Sequence, residues 1–509
     1  MTSAVKKISK NLYKYIIVLF LITLFLRIVF TVCFDSDYGG IEQNVIYGIQ
    51  RIIMGQPLYQ DPATGTYAVM QYTPLYYYFT SGIAKFSGIY ATDVQSIYTL
   101  CRIIALTFNL LTVVTVALII RSWRFSRSCS LVFAMPVLML LTSHYYTRGD
   151  SMHLFLFIAA MYSYILYNKN GGLWHILLAA LFSAGCIMVK QNGILVIGII
   201  GFCLLFADRK YLSAIFYSLC TSCFTCFLAE ACIRGNWHAF YQNTYLGLKN
   251  GMDISFLYRI FTSQFFFDMV PCYILGGIIV WLAMKKITDN IFRRIATGAA
   301  LSFLFAIITG LKIGSANNYF TEFLVFVITA LPYLLQSEQG AARLFRFFDR
   351  TVTIYRFAYI AFFILITSKT AGFVTEAYNE INIKNFKTEY NKEKELYEYF
   401  RKGLNIKNGE YIFFTDRLFF DNIFIEHAIM PNKDVVEQVY AANHTTFDYS
   451  AFVAGMNTGM IKYIVTDENK KDINKWNRYI PFILFHKDKF RLLTNYLGYS
   501  VYVYSPGPL

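Results

Sequence analysis

Over residues 1–369, long apolar runs alternate with short basic connectors, and beyond residue 370 that pattern is lost. The apolar runs lie near 15–33, 97–120, 128–143, 151–167, 173–189, 193–207, 211–233, 270–284, 295–311, 319–336 and 352–369. A helix needs about 20 apolar residues to cross a bilayer core of about 30 Å. The pattern therefore predicts eleven transmembrane helices, some of them short. The first run is too long for a signal-peptide core and no small-residue cleavage site follows it, so it is read as a retained helix. Residues 72–90 are also apolar enough to span. Their Tyr-rich face and Lys85 suit the headgroup layer instead, and they are read as a helix lying at the outer interface.

The connectors set the direction. With the N-terminus inside, alternate loops carry Arg121, Arg124 and Arg127, then Lys169, Arg209 and Lys210, Lys285, Lys286, Arg293 and Arg294, and finally Arg343, Arg346 and Arg350. Short basic loops mark the cytoplasmic side. The opposite loops, 34–96 and 234–269, are long, and an odd number of helices leaves the C-terminal part outside. The expected fold is a polytopic α-helical membrane protein with N-terminus in and C-terminus out. It consists of a membrane domain over 1–370, with the outer-face loop 34–96, and an extracytoplasmic α/β domain over 371–509. In that second part, 386–403 reads as a charged amphipathic helix. Tyr411–Thr415 and Lys462–Thr466 read as short buried strands, and Leu497–Tyr504 alternates like an edge strand.

Composition agrees. Hydrophobic residues make up 56% of the chain and charged residues 15%, with mean hydropathy +0.43; a soluble chain carries nearer 25% charge. The net charge of +15 comes entirely from residues 1–369, which hold 29 basic and 14 acidic residues, while 370–509 are balanced at 17 of each. A basic excess confined to membrane loops is not the basic face of a nucleic-acid-binding module, so no nucleic-acid partner is expected. Cys220, Cys223 and Cys226 have a ligand-like look but sit at helical spacing in an apolar run, where packing between helices is the simpler reading.

The carboxylates carry the functional signal. Asp208, Asp289, Glu338 and Asp349 fall in the basic loops; Asp35, Asp37, Glu42, Asp61, Asp93, Asp150, Glu230, Asp253, Asp268 and Glu322 fall at the opposite face. No acidic residue is placed mid-membrane, where ion-coupled carriers keep one. This weighs against the alternative function of a lipid-linked sugar flippase or carrier. Asp35 and Asp37 stand directly at the outer end of the first helix, where a carboxylate can act on a substrate at the membrane surface.

An Asp after the first helix, followed by Gly55-Gln56-Pro57-Leu58-Tyr59-Gln60-Asp61-Pro62 and by Tyr72-Thr73-Pro74-Leu75-Tyr76-Tyr77, resembles the GT-C superfamily of membrane glycosyltransferases. The branch it looks most like holds protein O-mannosyltransferases and lipid A aminoarabinose transferases (family 39-like). Arg148-Gly149-Asp150, Val189-Lys190-Gln191-Asn192-Gly193 and Gly314-Ser315-Ala316-Asn317-Asn318-Tyr319-Phe320-Thr321-Glu322 are similar to further stretches of that branch, and the resemblance covers about 1–370. One departure is that Asp37 is followed by Tyr38 rather than Glu. This leaves Asp35 and Asp37 as alternatives for the catalytic aspartate.

The resemblance implies transfer of a sugar from a polyprenyl-phosphate donor to an acceptor hydroxyl of a glycan, lipid or protein at the outer face. The setting would be a bacterial inner (plasma) membrane, with the active site facing the periplasm or exterior and membrane lipids as neighbours. Such chemistry needs one carboxylate base, Asp37 or Asp35, and cations for the leaving phosphate. Arg148 and Lys190 are the first candidates, with Arg259 and Lys85 behind them. Asp150, Tyr59, Tyr72, Asn318, Tyr319 and Glu322 would line the cavity. Asp150 and His153 lie one helical turn apart and offer a divalent cation two ligands, but two do not complete a site, and Asp150 paired with Arg148 is the simpler reading. No obligatory metal or cofactor is expected.

Overall fold

The computed structural model describes residues 3–33, 42–65, 67–141, 147–285, 289–336, 351–382, 385–407, 409–414, 420–423, 425, 439, 442, 447–467 and 489–506. Asp35 and Asp37 and the loop arginines 343, 346 and 350 lie outside them.

Helices dominate. The first is α1 (Ser3–Cys33), followed by α2 (Glu42–Ile53) and α3 (Leu75–Phe86). At 12 residues α3 is about 18 Å long, too short to cross a bilayer. Next come α4 (Val94–Arg121), α5 (Arg127–Ala134) and α6 (Pro136–Leu140). The apolar run 128–143 is broken between α5 and α6, where Pro136 has no N–H to continue the ladder. Then follow α7 (Asp150–Asn170), α8 (Leu173–Val189), α9 (Ile194–Phe202) with one wide turn to Ala207, and α10 (Tyr211–Ile233). Two short helices, α11 (Trp237–Thr244) and α12 (Ile254–Phe261), occupy the next loop. The bundle closes with α13 (Gln264–Met284), α14 (Asn290–Gly310), α15 (Thr321–Gln336) and α16 (Thr351–Asn382).

Among the described residues, five stretches are long and apolar enough to cross a membrane: Tyr13–Thr31, Val94–Arg121, Tyr211–Ile233, Phe266–Met284 and Asn290–Gly310. Three further apolar helical stretches, Arg127–Leu140, Leu173–Val189 and Gln191–Ala207, are shorter. α7 packs between α4 and α8, and α8 lies against α10. Alanines buried on these faces, such as Ala159, Ala160, Ala179, Ala180 and Ala184, let the backbones approach closely. Cys223 and Cys226 are exposed on α10 rather than packed between helices, and so differ from expectation: the helix turns its cysteine stripe outward.

The C-terminal residues form α17 (Asn385–Glu398), α18 (Phe420–Ile423), α19 (Ser450–Thr458) and four strands: β1 (Tyr411–Phe414), β2 (Tyr463–Asp467), β3 (Phe490–Tyr496) and β4 (Tyr499–Tyr504). The sheet order is β1-β2-β4-β3, with β1 and β2 parallel and the other pairs antiparallel. β4 is therefore an inner strand, not an edge. Its neighbour β3 forms a hairpin with it through Leu497-Gly498, both at positive φ, and Tyr499–Tyr502 of β4 are buried in succession rather than alternately, as an inner strand covered on both faces requires. This unit grips the first loop. Asn422 donates to the Gln43 carbonyl (2.9 Å) and to Gln50 Oε1 (3.1 Å), and Gln50 Nε2 donates back to the Asn422 carbonyl (2.8 Å). Val69 enters the sheet's apolar cluster beside Ile412, Phe452 and Ile464.

Candidate functional site

The start of α7, the end of α8, the turn before α15 and the loop before α3 meet at one end of the bundle. Gly149 makes this meeting possible. A Cβ there would lie 2.9 Å from Val189 Cγ1 and 3.2 Å from Tyr76 Cγ, so only glycine lets the start of α7 lean against the end of α8. Beyond α8 the chain must reverse at once into α9. A Cβ at Gly193 would stand 2.4 Å from the Ile187 nitrogen, and its absence permits the tight Lys190–Gly193 turn. The two glycines bring Asp150 and Lys190, 40 positions apart in the chain, into contact.

Asp150 is the hub. Its Oδ1 accepts from Lys190 Nζ at 2.8 Å and Asn318 Nδ2 at 3.1 Å, and its Oδ2 lies 3.4 Å from Arg148 Nε. These three charged side chains are 12–13% exposed, so they are shielded yet open to a ligand. Lys190 Nζ also lies 5.7 Å from the ring centroids of Tyr72 and of Tyr319, which stand around it as a polarisable wall. Burial alone would lower the Lys190 ammonium, but the Asp150 carboxylate outweighs it and holds the group above the ordinary lysine range.

A second pair lies alongside: His153 Nδ1 is 3.4 Å from Glu322 Oε1. His153 thus faces Glu322 and not Asp150, and both oxygens of Asp150 face cationic groups. That donor set suits an anion better than a divalent cation. Among the described residues no group of three or more His, Cys, Asp or Glu is placed to hold a metal.

Of the residues singled out in the sequence, the structure brings together Arg148, Asp150, Lys190, Tyr72, Asn318, Tyr319 and, through His153, Glu322. Tyr59 is buried and donates to the Tyr72 carbonyl at 2.8 Å, bracing the loop rather than lining a cavity. Lys85 is exposed in the last turn of α3. Arg259 stacks over the Phe256 ring, 4.0 Å from its centroid, on α12. Asp35 and Asp37 fall outside the described residues.

Sequence reasoning missed several contributors. Glu42 is fully buried and accepts the Thr147 N–H at 2.6 Å, tying α2 to the segment that leads into Arg148. Arg27, inside the first apolar run, is buried and donates to the Leu141 carbonyl at 3.0 Å. An ionisable residue within a span was the available signal.

No family model matches the sequence, and no curated protein matches it. Solved structures do. One is the archaeal oligosaccharyltransferase AglB from Archaeoglobus fulgidus, in complex with an inhibitory peptide and a dolichol-phosphate. Its TM-score is 0.54 at 10% identity, over 91% of this chain and 70% of that one. Another is the S. cerevisiae protein O-mannosyltransferase Pmt1-Pmt2 complex bound to its sugar donor. There the TM-score is 0.33 at 16% identity, over 50% of this chain and 37% of that one. The first likeness is one of fold. It shows that this chain shares that enzyme's fold; the second is too slight to bear on the question.

Proposed function

We propose that this protein is a membrane glycosyltransferase that moves a sugar from a polyprenyl-phosphate-linked donor to an acceptor hydroxyl at the outer face of the membrane. The observation that carries this reading is the cluster of Arg148 and Lys190 on Asp150. Two cations there meet one carboxylate, beside the His153–Glu322 pair. Such a site has charge to spare for an anion. The archaeal enzyme that shares the fold was solved with a dolichol-phosphate, a lipid phosphate of the proposed donor class.

In the reaction, the acceptor hydroxyl gives its proton to an aspartate as its oxygen attacks the anomeric carbon. The bond from that carbon to the phosphate oxygen breaks on the opposite face, so the configuration inverts and no covalent enzyme intermediate forms. The phosphodiester, with one negative charge, leaves as a phosphomonoester approaching two. Arg148 and Lys190 stabilise that added charge. Arg259 and Lys85 act farther out, drawing the anionic lipid toward the site. Asp37 is the base, with Asp35 orienting it or taking its place. No metal is required for this route.

Radiolabelled sugar transfer from polyprenyl-phosphate sugars in membranes tests the reading directly. Asp37→Asn keeps the shape and removes the base, and turnover is expected to fall about 10²- to 10⁴-fold. Full activity in both Asp37→Asn and Asp35→Asn would remove the chemical centre of the proposal.

The topology that goes with it has eleven crossings and an inside N-terminus. Reporter fusions at residues 125 and 290 should read cytoplasmic and one at 509 extracytoplasmic. A cytoplasmic reading at 509 would place the cluster on the wrong side for a donor presented outside.

A further inference from the structure

We propose that Glu42 is a positioning residue of the phosphate site: from α2 it holds the peptide that precedes Arg148 and so fixes where that guanidinium reaches. This rests on the reading above, in which Arg148 meets the leaving phosphate. It goes one step further, to the buried carboxylate that keeps Arg148 in place.

Thr147 is clamped from two sides. Its N–H donates to Glu42 Oε1 at 2.6 Å, and its carbonyl accepts from the Tyr76 hydroxyl at 3.0 Å. The first bond fixes the peptide plane before Thr147. The second fixes the plane that carries the Arg148 nitrogen. On the far side, Gly149 packs against Val189 and the Tyr76 ring. The Arg148 backbone is held at the residue before it and at the residue after it. Because peptide planes are rigid, little freedom remains beyond that of the side chain itself.

Both clamping groups stand on fixed elements. α2 is buried along almost its whole length. A Cβ at Gly48 would lie 2.7 Å from the Tyr77 ring, so α2 and α3 are in close contact, and Ser81 of α3 donates to the Ile49 carbonyl at 3.2 Å. Gln50 Nε2 donates to the Ala91 carbonyl at 2.7 Å. The stretch leading into α3 also holds the Lys190 turn. Thr73 Oγ1 donates to the Ile187 carbonyl at 2.8 Å, and Gln191 Nε2 donates to the Gln71 carbonyl at 2.6 Å. One frame, from Glu42 to Tyr76, therefore supports both cations. Packing alone gives no reason for a carboxylate at position 42, which is fully buried, since removing such a group from water is costly. Aim does give one: a carboxylate accepts a shorter and stronger hydrogen bond than a neutral oxygen.

The experiment is binding of polyprenyl monophosphate to the full chain in phosphatidylcholine nanodiscs, with a double-mutant cycle against Arg148. Glu42→Leu should weaken binding about three- to tenfold, the range of one hydrogen bond. Glu42→Gln keeps an oxygen at the same reach and should recover most of that loss. In an Arg148→Ala background Glu42→Leu should have no further effect, because the group it aims is gone. Tyr76→Phe removes the other half of the clamp with little change in volume. It should weaken binding about two- to fivefold, again only while Arg148 is present, and it carries the test should Glu42→Leu not fold.

Losses that add in the cycle would make Glu42 a general brace of the fold and overturn the assignment. Glu42→Gln as weak as Glu42→Leu would overturn it too. So would unchanged affinity in folded Glu42→Leu, or in Tyr76→Phe where Glu42→Leu does not fold, beside a weakened Arg148→Ala. Each of these leaves the glycosyltransferase reading intact. Wild-type affinity in Arg148→Ala itself would bring down the phosphate role of that arginine and this inference together.

Discussion

Asp150 and Asp208 stand at opposite ends of the layer formed by α7, α8 and α9, about 25 Å of α8 apart, and each meets a cation from another helix. Asp208 accepts from Arg294 Nη2 at 2.6 Å and from the Tyr164 hydroxyl, with side chains only 8–9% exposed. Nearby, Lys210 is occupied by Asn168 Oδ1 at 2.9 Å and by the Tyr167 ring. Asp289 caps α14 through the Phe292 N–H at 2.7 Å and accepts from the Trp123 indole at 3.3 Å. At that end each carboxylate has a dedicated partner, which makes a clamp. At the Asp150 end one carboxylate serves two cations and an amide, the rings of Tyr72 and Tyr319 stand around Lys190, and Glu322 lies beside them on His153. A charge-balanced cluster holds helices together, whereas one left with surplus charge is prepared for a ligand.

Mutations should separate the two ends. Asp208→Ala strands the buried Arg294, and removing one partner of a buried pair costs about 3–5 kcal/mol. Thermal unfolding in detergent should register the largest loss of any single change in this cluster, with transfer per folded molecule nearly unchanged. A small shift would mean that water enters that end and the clamp is weak.

Arg148→Ala and Lys190→Ala should do the reverse. Donor binding and transfer should fall together by about ten- to a hundredfold, the value of a contact worth about 1.5–3 kcal/mol, with a smaller change in unfolding. Unaltered donor affinity in both variants would assign them to lipid headgroups and erase the contrast.

Gly149→Ala is the mildest. The new methyl meets Val189, which is short and stiff at Cβ, so overpacking of about 1–3 kcal/mol is expected. The Asp150–Lys190 contact opens with it, and donor affinity should drop several-fold. An unaffected site would show that α7 can shift without moving Asp150.

Sequence patterning carried the helical membrane part a long way. The runs at 97–120 and 211–233 correspond to α4 and α10 within a few residues, because apolar length is a local property that the bilayer reads directly. The interfacial reading of 72–90 agrees with a 12-residue α3. Arg148, Asp150, Lys190, Asn318 and Tyr319 were legible because each sits in a short polar interruption at a helix end. The partners were not. Asp208 is followed in the chain by Arg209 and Lys210 yet pairs with Arg294, 86 positions away. Nothing local distinguishes those three cations, since helix packing alone brings one of them within reach.

The chain by itself thus determined which segments prefer lipid, which end of each helix carries charge, and that the C-terminal part changes period. Tertiary structure alone decided that β4 is an inner strand, that Asn422 and Val69 lock the C-terminal sheet onto the first loop, and that Lys190 is paired with Asp150. The physical reason is range. Hydrophobic length and periodicity act between neighbours in sequence, whereas charge compensation depends on distances of about 3 Å between groups that only the folded bundle brings together.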